Sequence, residues 1–225
     1  MSNAAHPRRA RALRLGLLLA AGLAAGPGCG MPGGRVHGVV RGTAEHGDAL
    51  ALSDALETLI AEGTDTSADR EFAWKAVKRH DEDTAAYCFA RAAITGRLVQ
   101  QRGLLGANLV PDVERYARRS RELDPEFRGG AATRLLGTLY VIAPAALIEH
   151  GDSEEGLDLL EGLTRTHPDV LENHLRLAEA YIALGDPAPA TPHLCTCIGG
   201  RERLRHDDQQ LLDRLVAGVG TVQCP

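Results

Sequence analysis

Two stretches of sequence decide the fold: HGDSEEGLDLLEGLTRTHPDV (residues 150–170) and LGDPAPATPHLCTCIGGRERL (residues 184–204). Each contains a Gly-Asp pair near its start, at Gly151 and at Gly185, followed by an apolar stripe with helical spacing. The two pairs lie 34 residues apart. Residues of similar size recur at the same interval: Gly156 and Ala190, Leu160 and Leu194, Leu163 and Cys197. The sequence therefore predicts an internal repeat built from two helices.

A helix–turn–helix unit of this length is typical of the tetratricopeptide (TPR) repeat. We expect Gly151 and Gly185 to end helices, with a positive φ at Gly185, because glycine adopts the left-handed conformation without penalty. Asp152 and Asp186 are expected to cap the helices that follow. Such units bury little surface alone and need stacked neighbours. The predicted fold class is all-α, a TPR-like helical-repeat solenoid of antiparallel helix pairs with a C-terminal capping helix.

The remainder of the chain also favours helices, since 44% of its 225 residues are hydrophobic and alternating strand patterns are nearly absent. Asp69 is expected to cap one helix, and a longer helix is predicted over residues 84–101. A loop with two glycines should follow over residues 102–111. Pro144 should cut short the helix before it. The capping helix is expected over residues 207–218.

The N-terminus has the features of an export signal. A basic segment precedes an apolar run of eleven residues over positions 15–25, which is too short to span a membrane as an ordinary helix. The sequence GPGCG then places Cys29 after small residues. This predicts a signal peptide over residues 1–28 and lipidation of Cys29. The alternative is ordinary signal-peptidase cleavage with Cys29 as a plain thiol, since Gly26 and Pro27 depart from the usual lipoprotein pattern.

The segment after the signal peptide and the signal itself predict the domain organisation and the location of the protein. Residues 29–46 are rich in glycine and are predicted to be a flexible tether, and residues 47–222 the TPR-like domain. The protein is expected to be exported and lipid-anchored, facing the periplasm. Gly30 follows Cys29 where an inner-membrane retention signal would have aspartate, which favours the outer membrane.

Charge argues against a nucleic-acid partner. The formal charge of the chain is −5, and it becomes −9 without residues 1–28, which contain four arginines and no acidic residue. An acidic exported protein is a poor candidate for binding nucleic acid. No later segment has 18 consecutive apolar residues, so the lipid anchor is the only predicted contact with the membrane.

The sequence contains no recognisable catalytic motif. It lacks G-x-S-x-G, H-E-x-x-H and the P-loop pattern, so we predict no enzymatic activity and no cofactor. The segment HLCTC (His193, Cys195 and Cys197) could suggest metal ligands, but a helix would point its two thiols apart. A structural role is therefore favoured over a metal site. Cys224 is expected to form a disulfide with either Cys195 or Cys197.

The segment YARRSRELDPEFRGGAATRLLGTLYVIAPAALIEHGDSEEGLDLLEGL resembles the T-component lipoproteins associated with TRAP transporters (TatT-like). The matching residues are Leu123, Asp124, Pro125, Gly129, Gly130, Leu136, Gly137, Tyr140, Pro144, Gly151 and Asp152. The resemblance covers residues 84–198. It implies an all-helical periplasmic lipoprotein that docks with a periplasmic solute-binding protein and assists uptake of organic acids or hydrophobic ligands, with a homotrimer as one assembly. The chain departs from that family in its low aromatic content and its cysteine-rich C-terminus.

The predicted function is a non-catalytic binding scaffold. In TPR solenoids the first helices of the repeats line a concave surface, which would hold a protein partner or an elongated ligand. The residues expected on that surface are Thr138, Val141, Glu172, Leu175, Glu179 and Ile182. The alternative is a structural TPR lipoprotein of an envelope or secretion assembly, with no transporter role.

Overall fold

The computed structural model describes residues 34–224, which form α-helices and short 3₁₀ segments but no β-strand. The predicted signal peptide and Cys29 lie outside these residues. The 3₁₀ segments are Gly103–Leu109, Ala145–Leu147 and Arg201–Arg203. The α-helices are α1 (Gly38–Glu45), α2 (Ala49–Glu62), α3 (Ser67–Val77), α4 (Ala85–Arg102), α5 (Val110–Leu123), α6 (Ala131–Ile142), α7 (Ser153–Thr166), α8 (Leu171–Ala183), α9 (Ala190–Gly199) and α10 (His206–Val219).

Neighbouring helices pack in pairs, most extensively α4 with α5, α6 with α7 and α8 with α9. The α6–α7 pair depends on two glycines at its crossing point. A Cβ atom at Gly156 would lie 2.8 Å from the carbonyl oxygen of Gly137, which only the absence of a side chain permits. The close approach of the two backbones therefore requires a residue without a side chain at Gly156.

The first predicted repeat turn agrees with the structure only in part. Asp152 caps α7 as predicted, since its side chain accepts a hydrogen bond from the backbone N–H of Glu155. The preceding helix already ends at Ile142, before Pro144, so the prediction that Gly151 ends a helix is wrong. Gly151 instead lies against the ring of Tyr140, where a Cβ atom would come within 2.3 Å of the ring carbons.

The second repeat turn also departs from the prediction. Gly185 has a φ of +85°, which confirms the left-handed conformation expected there. Asp186 does not cap a helix, however, because α9 begins four residues later, at Ala190, and has no side-chain cap. Pro187 and Pro189 disfavour helical dihedral angles at the residues before them, so the helix starts only after Pro189.

Three further expectations about the N-terminal half need correction. Thr66, not Asp69, caps α3, and Asp69 completes a capping box from the third helical position. Residues 102–111 are not a loop, because they contain the last residue of α4, the 3₁₀ segment and the first two residues of α5. Part of the predicted flexible tether is the helix α1, because Val40 is fully buried against α2 and α3, and His37 binds Asp69 through its backbone N–H at 2.7 Å.

The helices α2, α4, α6, α8 and α10 follow one another around a central cavity. The C-terminal helix α10 packs on α8 and α9, where its apolar side chains cover the last helix pair. It also contacts α2, near the other end of the described chain. This second contact closes the succession of helices into a ring, which the sequence did not predict.

Candidate functional site

The central cavity has a volume of about 970 Å³. That volume lies at the upper end of the range typical of small-molecule sites. Much of the wall is apolar, with side chains from α4, α6 and the segments beside them. These include Phe89, Ala93, Val99, Leu104, Leu135, Leu139, Ile142 and Leu147.

The wall also carries five arginines and four carboxylates. They are Arg97, Arg128, Arg134, Arg176 and Arg205, with Asp54, Glu57, Glu172 and Asp208. Charges that are removed from water are stable only when they are paired or bound to polar groups. The pairing of each arginine therefore shows which charges serve the fold and which remain available to a ligand.

Glu57 is the centre of one ion-pair network. The guanidinium of Arg97 donates to both carboxylate oxygens of Glu57, at 2.7 and 2.6 Å, and Arg205 donates to the same carboxylate. Arg97 also pairs with Asp207 at 3.0 Å. Burial raises the pKa of the Glu57 carboxyl, but the two arginines outweigh it and lower the pKa to about 2. This network joins α2, α4 and α10.

Two other carboxylates of the wall, Asp208 and Asp54, pair with Arg176 and Arg128. Asp208 is buried and lies between Arg176, at 2.8 Å, and Arg205, at 3.3 Å, which ties α8 to α10. Arg128 forms a bidentate pair with Asp54 at 2.6 Å, and both side chains are substantially exposed. With Arg97 and Arg205, four of the five arginines of the cavity wall are thus held by carboxylates.

Arg134 is the one arginine of the cavity wall that no carboxylate of the described residues holds. Its guanidinium donates one hydrogen bond, at 2.9 Å, to the amide oxygen of Asn173, and it forms no ion pair with a carboxylate of residues 34–224. Burial lowers the pKa of Arg134, and Arg176 lowers it further, whereas the charge of Glu172 only partly opposes this. Arg134 is therefore a half-buried cation that the protein compensates incompletely.

The structure places two of the six predicted binding residues, Thr138 and Glu172, in the cavity wall. The other four serve contacts within the protein. Leu175 is fully buried and Ile182 packs in the same apolar cluster, while Glu179 pairs with Arg176. Val141 lies against α7. Within α8, side chains of α9 and α10 cover Leu175 and Ile182, which an open groove would expose.

The sequence reasoning missed Arg134, although a signal was present. Arg134 is the single charged residue in α6, whose sequence AATRLLGTLYVI is otherwise apolar or small. A lone arginine in such a helix needs a polar partner. That partner, Asn173, lies 39 residues away on α8, so the local pattern could not identify it.

The cysteines near the C-terminus have separate environments. A disulfide joins Cys195 to Cys224, so Cys197 is the one of the two predicted partners that remains unbridged. Cys197 is fully buried, and burial raises the pKa of its thiol to about 12. His193 lies in the same helix as Cys195, α9. Its Nδ1 atom is 2.9 Å from the Nδ1 atom of His174.

No model of a known protein family matches the chain, and no curated protein is significantly similar to it. Within residues 34–224, no helix is both long and apolar enough to cross a membrane. The same residues contain no cluster of three or more histidine, cysteine, aspartate or glutamate side chains arranged to hold a metal ion. The cavity is therefore the feature from which a function can be argued.

Proposed function

We propose that the protein is an exported, lipid-anchored, non-catalytic binding protein with a TPR-like helical repeat, and that its central cavity binds an elongated amphipathic ligand. The observation that carries the proposal is the ring of helices around a cavity of about 970 Å³ with an apolar wall and a charged region. Apolar walls with a few placed polar groups are typical of small-molecule sites.

The closed ring favours a ligand inside the cavity over a protein segment in an open groove. Four of the residues expected on an open concave surface make contacts within the protein instead. The helix α10 contacts both α8 and α2, so the helices surround the cavity instead of lining one side of an open groove. The sequence resembles T-component lipoproteins of TRAP transporters, which implies a solute-binding protein as partner. Such a partner would dock on the outer surface of the ring and exchange ligand with the cavity.

A non-catalytic role fits the chemistry of the wall. The arginines that pair with Glu57 keep its carboxyl ionised throughout the physiological range of pH, so it is poorly suited to exchanging protons. Asp208 lies between two arginines that hold helices together. These charges therefore serve the ring itself.

The ligand site can be tested with a variant that fills the cavity. Gly96 lies on α4 in the cavity wall, and a Cβ atom there would have its nearest contact at 3.9 Å, from Val113. Gly96→Trp should therefore fold while placing a large side chain in the cavity. Gly162→Trp is the matched control, because Gly162 lies within α7, outside the cavity wall, and its Cβ would also meet nothing closer than 3.9 Å.

The probe is N-phenyl-1-naphthylamine, an uncharged apolar dye that fluoresces in apolar sites. The wild-type protein and Gly162→Trp should bind it saturably, and Gly96→Trp should bind at least about tenfold more weakly, which corresponds to 1.4 kcal/mol. Equal binding by both variants, or no saturable binding by the wild type, would refute a ligand site in the cavity.

The transporter role needs a separate experiment, because a structural lipoprotein of an envelope assembly could share this fold. Crosslinking followed by affinity purification of the mature protein from its own cells distinguishes the two. Recovery of a solute-binding protein supports the role resembling a T-component. Recovery of secretion or envelope-assembly proteins in its place supports the structural alternative.

A further inference from the structure

We infer that Arg134 anchors the head group of the ligand, so that the cavity selects amphipathic monoanions with an aliphatic tail. The inference rests on the proposed function, because it assumes that the cavity is the binding site. It names the chemical class of the ligand and assigns the residue that would recognise its charge.

The geometry of Arg134 leaves most of its hydrogen-bonding capacity unused. Arginine has five N–H donors in a planar fork, and Asn173 accepts one of them. Asn173 is fully buried, and its amide nitrogen donates to the carbonyl of His167 at 3.3 Å, which fixes the amide oxygen toward Arg134. The guanidinium is therefore oriented by the protein with donors still free in the cavity wall, where a carboxylate or phosphate can bind in bidentate geometry.

Charge balance points in the same direction. A charge that is partly removed from water and has no opposite partner is unfavourable, and an entering anion would reduce that penalty. The other four arginines of the wall already have carboxylate partners, so they would have to break an ion pair to bind a ligand. Arg134 alone among them can take an anion without that loss.

The charged groups around Arg134 limit the ligand to a single negative charge. Arg176 and Arg205 add positive potential, and Asp208 is held between them. Glu172 is the remaining carboxylate of the wall, and it forms no ion pair with an arginine of the described residues. Its charge would repel a second negative charge on the ligand.

The apolar wall sets the nature of the tail. Leu135, Leu139 and Ile142 follow Arg134 along α6 and line the same cavity. The rise of an α-helix from Arg134 to Ile142 is about 12 Å. An aliphatic chain extended along α6 from a head group at Arg134 would contact these side chains and then reach Leu104 and Leu147.

The test compares three probes with the same tail: dodecanoate, dodecanol and dodecylammonium, each below its micellar concentration at pH 7.5. The wild type should bind dodecanoate at least about tenfold more tightly than dodecanol. In Arg134→Gln that preference should disappear while dodecanol affinity is unchanged. Arg165→Gln is the matched control, because it removes the same charge from an exposed side chain on α7 that does not line the cavity, and it should keep the preference.

Glu172→Gln provides a second, opposite change, because removing its negative charge should tighten dodecanoate binding about two- to fivefold. A further arm replaces dodecanoate by lysophosphatidylglycerol, a monoanion from a membrane lipid. Tighter binding of either monoanion than of dodecanol, lost in Arg134→Gln, supports the inference, and their ranking identifies a free carboxylate or a lipid head group as the source.

Several outcomes would overturn the inference. Dodecanoate binding by Arg134→Gln at wild-type strength would exclude Arg134 as the anchor, and a preference for dodecylammonium would assign the site to Glu172. If the uncharged dye binds but the wild type shows no preference for anions, the inference fails and the ligand site stands. If neither the dye nor any dodecyl probe binds, the proposed function itself fails.

Discussion

The guanidinium of Arg205 donates to the carboxylate of Glu57, although the two residues lie 148 positions apart in the chain. Arg205 is the residue directly before α10, and Glu57 lies within α2. Arg97 binds the same carboxylate from α4, so one buried carboxylate holds three helices. The ring around the cavity is closed at this point by electrostatic contacts.

Replacing Glu57 should therefore loosen the ring. Glu57→Gln leaves Arg97 and Arg205 without their shared carboxylate, although Asp207 and Asp208 still neutralise part of their charge. We expect a loss of about 2–4 kcal/mol in the free energy of unfolding, measured by urea titration. Asp54→Asn removes the exposed partner of Arg128 and should lower it by less than about 1 kcal/mol. Equal effects of the two changes would contradict the central role of Glu57.

The carboxylate of Glu57 should also make the free energy of unfolding decrease in strong acid. Its pKa is lowered from 4.5 to about 2 in the folded protein, so the folded state holds fewer protons than the unfolded state between these values. The contribution is complete above pH 4.5 and is lost as the pH falls toward 2. Glu57→Gln should show a shallower fall over this interval in thermal unfolding experiments. An unchanged slope would mean that other groups control it.

A second dependence on pH is expected from the contact between His193 and His174. Burial, reinforced by the charge of His174, lowers the pKa of His193 below 6.5 in the folded protein. Because the unfolded chain then binds the proton more readily, stability is complete above pH 6.5 and decreases below it. His193→Gln should reduce this decrease in melting temperature between pH 7 and pH 5. A variant as acid-sensitive as the wild type would refute the assignment.

The disulfide between Cys195 and Cys224 should stabilise the last helices. It closes a loop with a sequence separation of 29 residues, which limits the freedom of the unfolded chain. Cys195→Ser should lower the free energy of unfolding by about 2–4 kcal/mol. A reducing agent should reproduce this loss in the wild type and have no effect on the variant. Full alkylation of Cys224 without prior reduction would show that the bridge is absent.

The turn between α8 and α9 offers a contrast between two adjacent residues. Gly185→Val should destabilise by about 1–3 kcal/mol, because φ is +85° there and a β-branched residue is strained in that conformation. Asp186→Ala should change stability by less than about 0.5 kcal/mol, because the Asp186 side chain caps no helix. Thermal unfolding measures both. A large effect of Asp186→Ala would restore the capping role that the sequence suggested.

The repeat could be predicted from the sequence wherever its causes are local. The glycine turn at Gly185, the cap at Asp152 and the close crossing at Gly156 each follow from the conformational or steric properties of one residue. The helix α1 could not be predicted this way, because Val40 is buried by residues of α2 and α3. Its segment alone, rich in glycine and lacking periodicity, gives no sign of that packing.

The candidate site was harder to predict, because its features depend on contacts between distant helices. Thr138 and Glu172, which their repeat positions place on a concave surface, lie in the cavity wall. Leu175 occupies an equivalent position, but α9 and α10 cover it. The isolation of Arg134 is visible only once the partners of the other arginines are known, and two of those partners, Asp207 and Asp208, lie in the last helix.

The contact between α10 and α2 also has a consequence for the order in which the chain becomes functional. Synthesis proceeds from the N-terminus, so α2 is made long before Arg205 is available to reach Glu57. The early helices can pair with their neighbours as they emerge, but the cavity has no complete wall until α10 is in place. Truncation anywhere before α10 would remove Asp208 and the contact with α2, and would leave the cavity without part of its wall.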